Sequence, residues 1–365
     1  MKNRFLIVLF FQCLLLSAQQ QEASPAYTLG TDVFYGSILL HNTDISHLIR
    51  SHPSGLILAF NRETYGEQAW HSTFNYPDVG YSFIYQDMRN SVLGENYGLY
   101  AHYNFYLLNR ALQFRVGQGI AYNTNPYDRE ENFRNNAYGT AFMSSTYLML
   151  NYRKMRLLGT LGVKAGLSLV HYSNANVKAP NTSTNTIAFN AGLVYDLDAE
   201  GKREYKITEP GETDRDMAYN LAFSTGINES DVIGSGQFPF YIFTVSAEKR
   251  LGRVSSVQLG TDIFFSNFLK KLIRFQSTSF PELQVDPDTD YKRVGIFAGH
   301  ELYINRMSIV TQLGYYLYYP FDFEGRVYNR VGLKRYFGDR YYATLSLKSH
   351  AAKAEAVELG FGIRI

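Results

Sequence analysis

Cysteine is nearly missing from this 365-residue chain: the single one, Cys13, lies in an apolar run at the very start. No disulfide can therefore support the mature protein. Tryptophan occurs once, whereas tyrosine occurs 30 times and phenylalanine 26 times. Charged residues make up 19%, which is low for a soluble surface, and the formal net charge of +2 gives no footprint for nucleic acid. Past the first residues, no stretch is apolar for the ~20 residues that a membrane helix needs. What is present fits one architecture. An exported, aromatic-rich, cysteine-free chain without membrane helices reads as an all-β protein, a transmembrane antiparallel barrel whose strands hide their apolarity in alternation.

Export is read from the N-terminus. Lys2 and Arg4 precede an apolar run from Phe5 to Leu16, interrupted only by Gln12 and Cys13, and Ser17-Ala18 follows. This is the pattern of a secretory signal peptide over residues 1–18, cut after Ala18. The run is too short for an anchor helix, and Phe11-Gln12 is a poor approach to a lipoprotein cysteine. Residues 19–365 are then expected to form a single outer-membrane β-barrel domain.

Alternating stretches mark about sixteen strands, from Tyr27–His41 to Ala354–Ile365, or fourteen if one hairpin is miscounted. An even number places both chain ends on the periplasmic side. Connection lengths agree. The long polar stretches Asn123–Asn136, Tyr172–Thr184 and Leu269–Asp290 fall on one side, and short turns such as Asn109-Arg110 and Arg153-Lys154 on the other. Two connections, Tyr65–Asp78 and Asp196–Arg215, break this asymmetry. The second is charged and reads as a solvated connection or a linker. At the C-terminus Val357, Leu359, Phe361, Ile363 and Ile365 alternate with polar residues and glycine to the last position, as in a closing barrel strand. The edge strand of a sandwich would read the same way, but it would not explain the signal peptide and the aromatic load.

One strand carries chemistry. In Leu161–Asn181, Leu161, Val163, Ala165, Leu167 and Leu169 share a face, and His171 and Ser173 continue it. Alternation makes this the lipid face, at the point where an outer loop begins. Residues two apart are about 6.6 Å apart along a strand, a gap that an imidazole can bridge toward a hydroxyl. His171 and Ser173 thus form a candidate base and nucleophile. Polar groups facing lipid are costly unless they act, and an ester within a membrane lipid is a substrate that such a face could serve. Matching the apolar stripe of the next strand (Ile187, Phe189, Ala191, Leu193) to this one sets Asn185 beside His171, although other registers of the same parity fit the pattern equally. Asparagine can orient a catalytic histidine.

The run His171-Tyr172-Ser173-Asn174-Ala175, followed by Lys178, Pro180 and Asn181, resembles the active-site segment of the outer-membrane lipid A 3-O-deacylases, the acyloxyacyl hydrolase family. Trp70, Asn75-Tyr76-Pro77, Gly80, Gly94 and Pro126-Tyr127-Asp128 are similar to those of its longer Bacteroidetes-type members. The resemblance runs from about Gly55 to Tyr195. It implies a barrel in the bacterial outer membrane that hydrolyses an ester-linked acyl chain of lipopolysaccharide in the outer leaflet. His171 would be the general base, Ser173 the nucleophile, and Asn174, Asn181 or nearby backbone N–H groups the oxyanion donors. Lipid A is the implied partner; neither a metal nor any other cofactor is implied. Two positions depart from the family: Asn185 replaces a glutamate, and Asn176 replaces a glycine. His41, His47 and His52 lack metal-site spacing and read as loop residues. Gly117-Gln118-Gly119 reads as strand glycines, and Asp32 and Asp262 as residues of the lumen. The rival function is a non-catalytic barrel, either a passive pore or a structural protein.

Overall fold

A computed structural model describes residues 26–198, 204–209, 211, 216–351 and 353–365, so the expected signal peptide lies outside the described residues. The described residues form sixteen antiparallel strands, but these do not share one ring. The first ring consists of β1 (Tyr27–Ile38), β2 (Ser54–Arg62), β3 (Asp78–Asp87), β4 (Glu95–Leu107), β5 (Leu112–Asn123), β6 (Phe142–Leu158), β7 (Leu161–Ser173) and β8 (Thr184–Asp196). It closes where β1 pairs with both β2 and β8. The second consists of β9 (Met217–Asn228), β10 (Phe238–Arg250), β11 (Ser255–Ser266), β12 (Lys292–Ile304), β13 (Met307–Tyr318), β14 (Val327–Phe337), β15 (Tyr341–His350) and β16 (Lys353–Arg364). It closes where β9 meets β10 and β16.

The sequence reading of one barrel over residues 19–365 thus differs from the structure, which has two barrels of eight strands each. Alternation tells each residue which face it occupies but not which edges meet, and eight strands already make a lumen that side chains can fill. The difference also explains the two connections that broke the loop asymmetry. Asp196–Arg215 is the link between barrels. Its described part lies against the β2–β3 connection, where Lys206 N–H donates to Tyr65 O at 2.7 Å and the Tyr205 ring packs against Tyr65 and Tyr76, with centroids 5.3 and 4.5 Å apart.

Both lumens are filled. In the first, Lys164 Nζ lies 2.7 Å from the fully buried carboxylate of Asp32. His102 bonds Asn61 Oδ1 and Ser82 Oγ, and an apolar cluster including Ile57, Ile84 and Val170 closes the outer end. In the second, Arg330 bridges Asp262 and Glu358, and Lys334 reaches Glu301. A void of about 60 Å³ lies among these side chains. Leu269–Asp290, read as a polar loop, begins with helix α2 (Asn267–Ser279), which buries Phe268, Leu269, Leu272 and Ile273; the only earlier α-helix among the described residues is the short α1 (Ala69–Thr73). Four apolar residues in helical spacing are too short a signal to stand out among lysines and serines.

Contacts at both ends tie the barrels side by side. At the outer end Asn176 Nδ2 donates to Ala354 O at 2.8 Å, Glu229 N–H to Asn176 O at 2.8 Å and Gln237 Nε2 to Val177 O at 2.8 Å. At the inner end Asn305 Nδ2 donates to Gln68 Oε1 at 3.3 Å. The serine loop thus meets the β9–β10 connection and the start of β16, and the β2–β3 connection meets the β12–β13 turn.

Candidate active site

Strand β7 sorts its residues by face. Gly162, Lys164, Ser168, Val170 and Tyr172 are buried in the lumen, while Val163, Ala165 and Leu167 are exposed on the outside. His171 continues the outward set, half-buried at the outer end, and Ser173 follows it at 6% exposure, covered by the loop that begins there. The β7–β8 register is the one that matches the two apolar stripes: Val163 faces Leu193, Ala165 faces Ala191, Leu167 faces Phe189, Leu169 faces Ile187, and His171 faces Asn185.

That pairing produces a hydrogen bond. His171 Nδ1–H donates to Asn185 Oδ1 at 2.8 Å. The tautomer this sets leaves the Nε2 lone pair free as a base. Ser173 Oγ donates to Asn181 Oδ1 at 3.1 Å and accepts Ala175 N–H at 2.9 Å, with no hydrogen bond to His171 in this arrangement. Imidazole and hydroxyl open into the same cavity.

The Asn174–Asn181 loop holds the serine. Ala175 and Asn176 are both left-handed, at φ 52° and 61°. Glycine is the ordinary residue at such a backbone, and asparagine is the side chain that tolerates it best. This is the physical account of Asn176 standing where the resembling family has glycine. Asn176 also gains bonds that glycine could not make, donating to Ala354 O and accepting Asn181 Nδ2 at 3.2 Å. Asn174 and Asn181, read from sequence as oxyanion donors, have their amide NH₂ groups engaged within the loop: Asn174 Nδ2 bonds Lys178 O at 2.7 Å, and Asn181 Nδ2 bonds Asn176. Asn181 Oδ1 additionally accepts Asn174 N–H at 2.9 Å. The buried carboxylate of Glu229, from the second barrel, accepts Ala179 N–H and Gly236 N–H, each at 2.9 Å. Tyr138, wholly buried in the β5–β6 loop, bonds Thr184 Oγ1 beside Asn185; burial pushes its phenol up to about 12 and keeps it neutral.

Sequence reasoning missed three polar neighbours. Thr146 pairs with His171 across the β6–β7 ladder, Ser144 pairs with Ser173, and Gln118 pairs with Thr146 across β5–β6. All face outward. Thr146 Oγ1 donates to Gln118 Oε1 at 2.5 Å, and Gln118 Nε2 donates to Ser144 Oγ at 3.0 Å. The chain of bonds lets polar groups stand on a lipid-type face at reduced cost. Their signal was available: each interrupts an apolar stripe at the parity of its strand's outward residues. Of the three histidines of the first outer loop, His41 Nε2 lies 3.0 Å from Thr182 O at the edge of the site, and His47 and His52 bond Arg134 O and Ser37 Oγ.

Comparison with known proteins covers both rings. Residues 54–194 match the family described as lipid A 3-O-deacylase (PagL), and residues 217–365 match the acyloxyacyl hydrolase C-terminal domain. The first match contains every site residue named above from Gln118 to Asn185; the second coincides with the second barrel. No curated protein matches. Among solved structures, a Rhodopseudomonas blastica porin triple mutant is similar at 9% identity over 93% of this chain and 100% of that one, with a TM-score of 0.18. The Acinetobacter baumannii outer membrane protein Omp33 is similar at 7% identity over 93% and 97%, also with a TM-score of 0.18. At these scores neither likeness carries weight for the site or its chemistry.

Proposed function

Because this chain belongs to the PagL-like lipid A deacylase family of the bacterial outer membrane, we propose that it cuts an ester-linked acyl chain from lipid A in the outer leaflet by a serine mechanism. Ester hydrolysis on lipid A comes with the family; the residues and steps are our inference. The observation that carries them is the outward His171, fixed by Asn185 and facing the same cavity as Ser173.

In this mechanism the Ser173 hydroxyl turns from Asn181 toward His171 Nε2 and gives up its proton as Oγ bonds the ester carbonyl carbon. The carbonyl electron pair moves to oxygen. Ala175 N–H, already 2.9 Å from Oγ, is the donor at hand for that oxyanion, and Asn174 and Asn181 hold the turn that presents it. Collapse breaks the ester C–O bond, and the leaving alkoxide of the sugar takes the proton from His171. Water then attacks the acyl-serine with His171 again as base, releasing a fatty acid and restoring the hydroxyl.

The test is mass spectrometry of lipid A from cells expressing the chain or its Ser173→Ala variant. A lipid A lighter by one acyl chain with the first alone is expected; identical acylation in both would remove the reading. Asn185 gives a second prediction. An amide orients imidazole but cannot stabilise imidazolium by charge, so Asn185→Glu should raise the deacylation rate roughly 10- to 100-fold, a fraction of the loss when a triad acid becomes an amide. A rate that stays level or falls would mean that orientation alone suffices here.

A further inference from the structure

The outer faces of the two barrels enclose a cavity of about 1800 Å³. It is far larger than the ~300–1,000 Å³ typical of a small-molecule pocket. On the first barrel, one row of paired residues forms its floor: His171, Thr146, Gln118, Ala101, Tyr81 and Phe60, each opposite the next across β7 to β2. Five strand spacings of about 4.8 Å make that row roughly 24 Å long. The row crosses tilted strands, so at a tilt of about 35–45° it descends roughly 15 Å, about the depth of one leaflet, which is half of a ~30 Å hydrocarbon core. The row is polar for its first three residues, beside Ser173, and apolar or aromatic beyond. On the second barrel the facing wall is apolar, with Ile309, Val331, Leu333, Leu345, Leu347 and Val357.

We infer that this cavity holds the acyl chain of the substrate, with the second barrel as its far wall and the element that selects chain length; the inference rests on the serine-hydrolase reading above. A polar end at the nucleophile suits the ester carbonyl, and an apolar run leading away suits the methylenes that follow it. Lipid A is the occupant argued for, because its ester must reach Ser173, which opens at the polar end. The second barrel is therefore part of the active site, not a spare anchor. It forms one wall through β13 to β16 and holds the serine loop through Glu229 and Ala354.

The experiment uses the full chain in detergent, with p-nitrophenyl butyrate and palmitate as probes. Leu333→Trp and Leu345→Trp put indoles on the deep wall, away from Ser173. Each should lower the palmitate-to-butyrate ratio of kcat/KM at least about 10-fold, the scale of one methylene that no longer fits. Leu259→Trp, an exposed position on β11, should leave the ratio unchanged. Unchanged ratios in the deep-wall variants, or a ratio that falls equally in Leu259→Trp, would overturn the inference while leaving the mechanism standing. Should the wild-type chain hydrolyse neither ester, a diazirine-bearing palmitate decides independently in the Ser173→Ala protein. Labelling concentrated on β13–β15 and lost in Leu345→Trp is expected; uniform labelling of both outer surfaces would overturn the acyl site.

Discussion

Replacing Ser173 by alanine should lower lipid A deacylation by roughly 10³-fold or more, the scale on which hydrolases lose rate when the nucleophile is removed. The cause is chemical rather than structural. Ser173 Oγ makes two local hydrogen bonds, to Asn181 and from Ala175 N–H, and the loop keeps its ties to the second barrel without them. The variant should therefore migrate as a folded barrel in unheated electrophoresis. His171→Ala should lose a comparable factor, and the double variant little more than either single one, because base and nucleophile act as a unit. The measurement is release of fatty acid from purified lipopolysaccharide by the full chain in detergent. Losses that multiply in the double variant would mean that the two side chains do not share a proton, and activity retained by Ser173→Ala would assign the nucleophile elsewhere.

Glu355→Ala should destabilise the second barrel by about 3–5 kcal/mol, the cost of breaking a buried ion pair by removing one partner. Arg293 Nη2 lies 2.5 Å from Glu355 Oε1; Lys348 Nζ and His350 Nε2 each lie 2.7 Å from Oε2. All four side chains are buried in the lumen. Removing the carboxylate strands the Arg293 guanidinium, and leaves Lys348 without its acceptor, where water cannot reach them. The exposed cluster of Lys353 with Asp231 and Glu324 provides the contrast. Solvent screens it, so Lys353→Ala should cost about 0–1 kcal/mol. Urea titration of the chain in lipid vesicles, followed by tyrosine fluorescence and electrophoretic mobility, reads both. Equal midpoints for the two variants would mean that the lumen network contributes no more than a surface pair.

The face that carries the candidate site was legible because it rests on local physics. Side chains alternate along a strand, so the parity of His171 and Ser173 with Leu161 through Leu169 fixed their side of the wall. Matching the apolar stripe of β8 to that of β7 allowed Asn185 opposite His171, since a one-residue slip would have exposed one stripe and buried the other, but among registers of that parity the folded sheet made the choice. The polar neighbours Gln118, Ser144 and Thr146 were equally local, but their meaning required knowing that three strands bring them to one spot. Helix α2 was hidden by its brevity, and the roles of Asn174 and Asn181 by loop geometry that no periodicity encodes.

From its sequence alone, the chain is an exported all-β membrane protein with a histidine and a serine on the outer face of one strand, because a period of two and an apolar stripe suffice to assign faces. That the strands close as two rings, that the charged stretch after Asp196 joins them, and that the far wall of the cavity comes from the second ring were decided only in three dimensions. Ring closure and barrel contact depend on which edges and surfaces meet across hundreds of residues, and a pattern repeated in every strand carries no record of that choice.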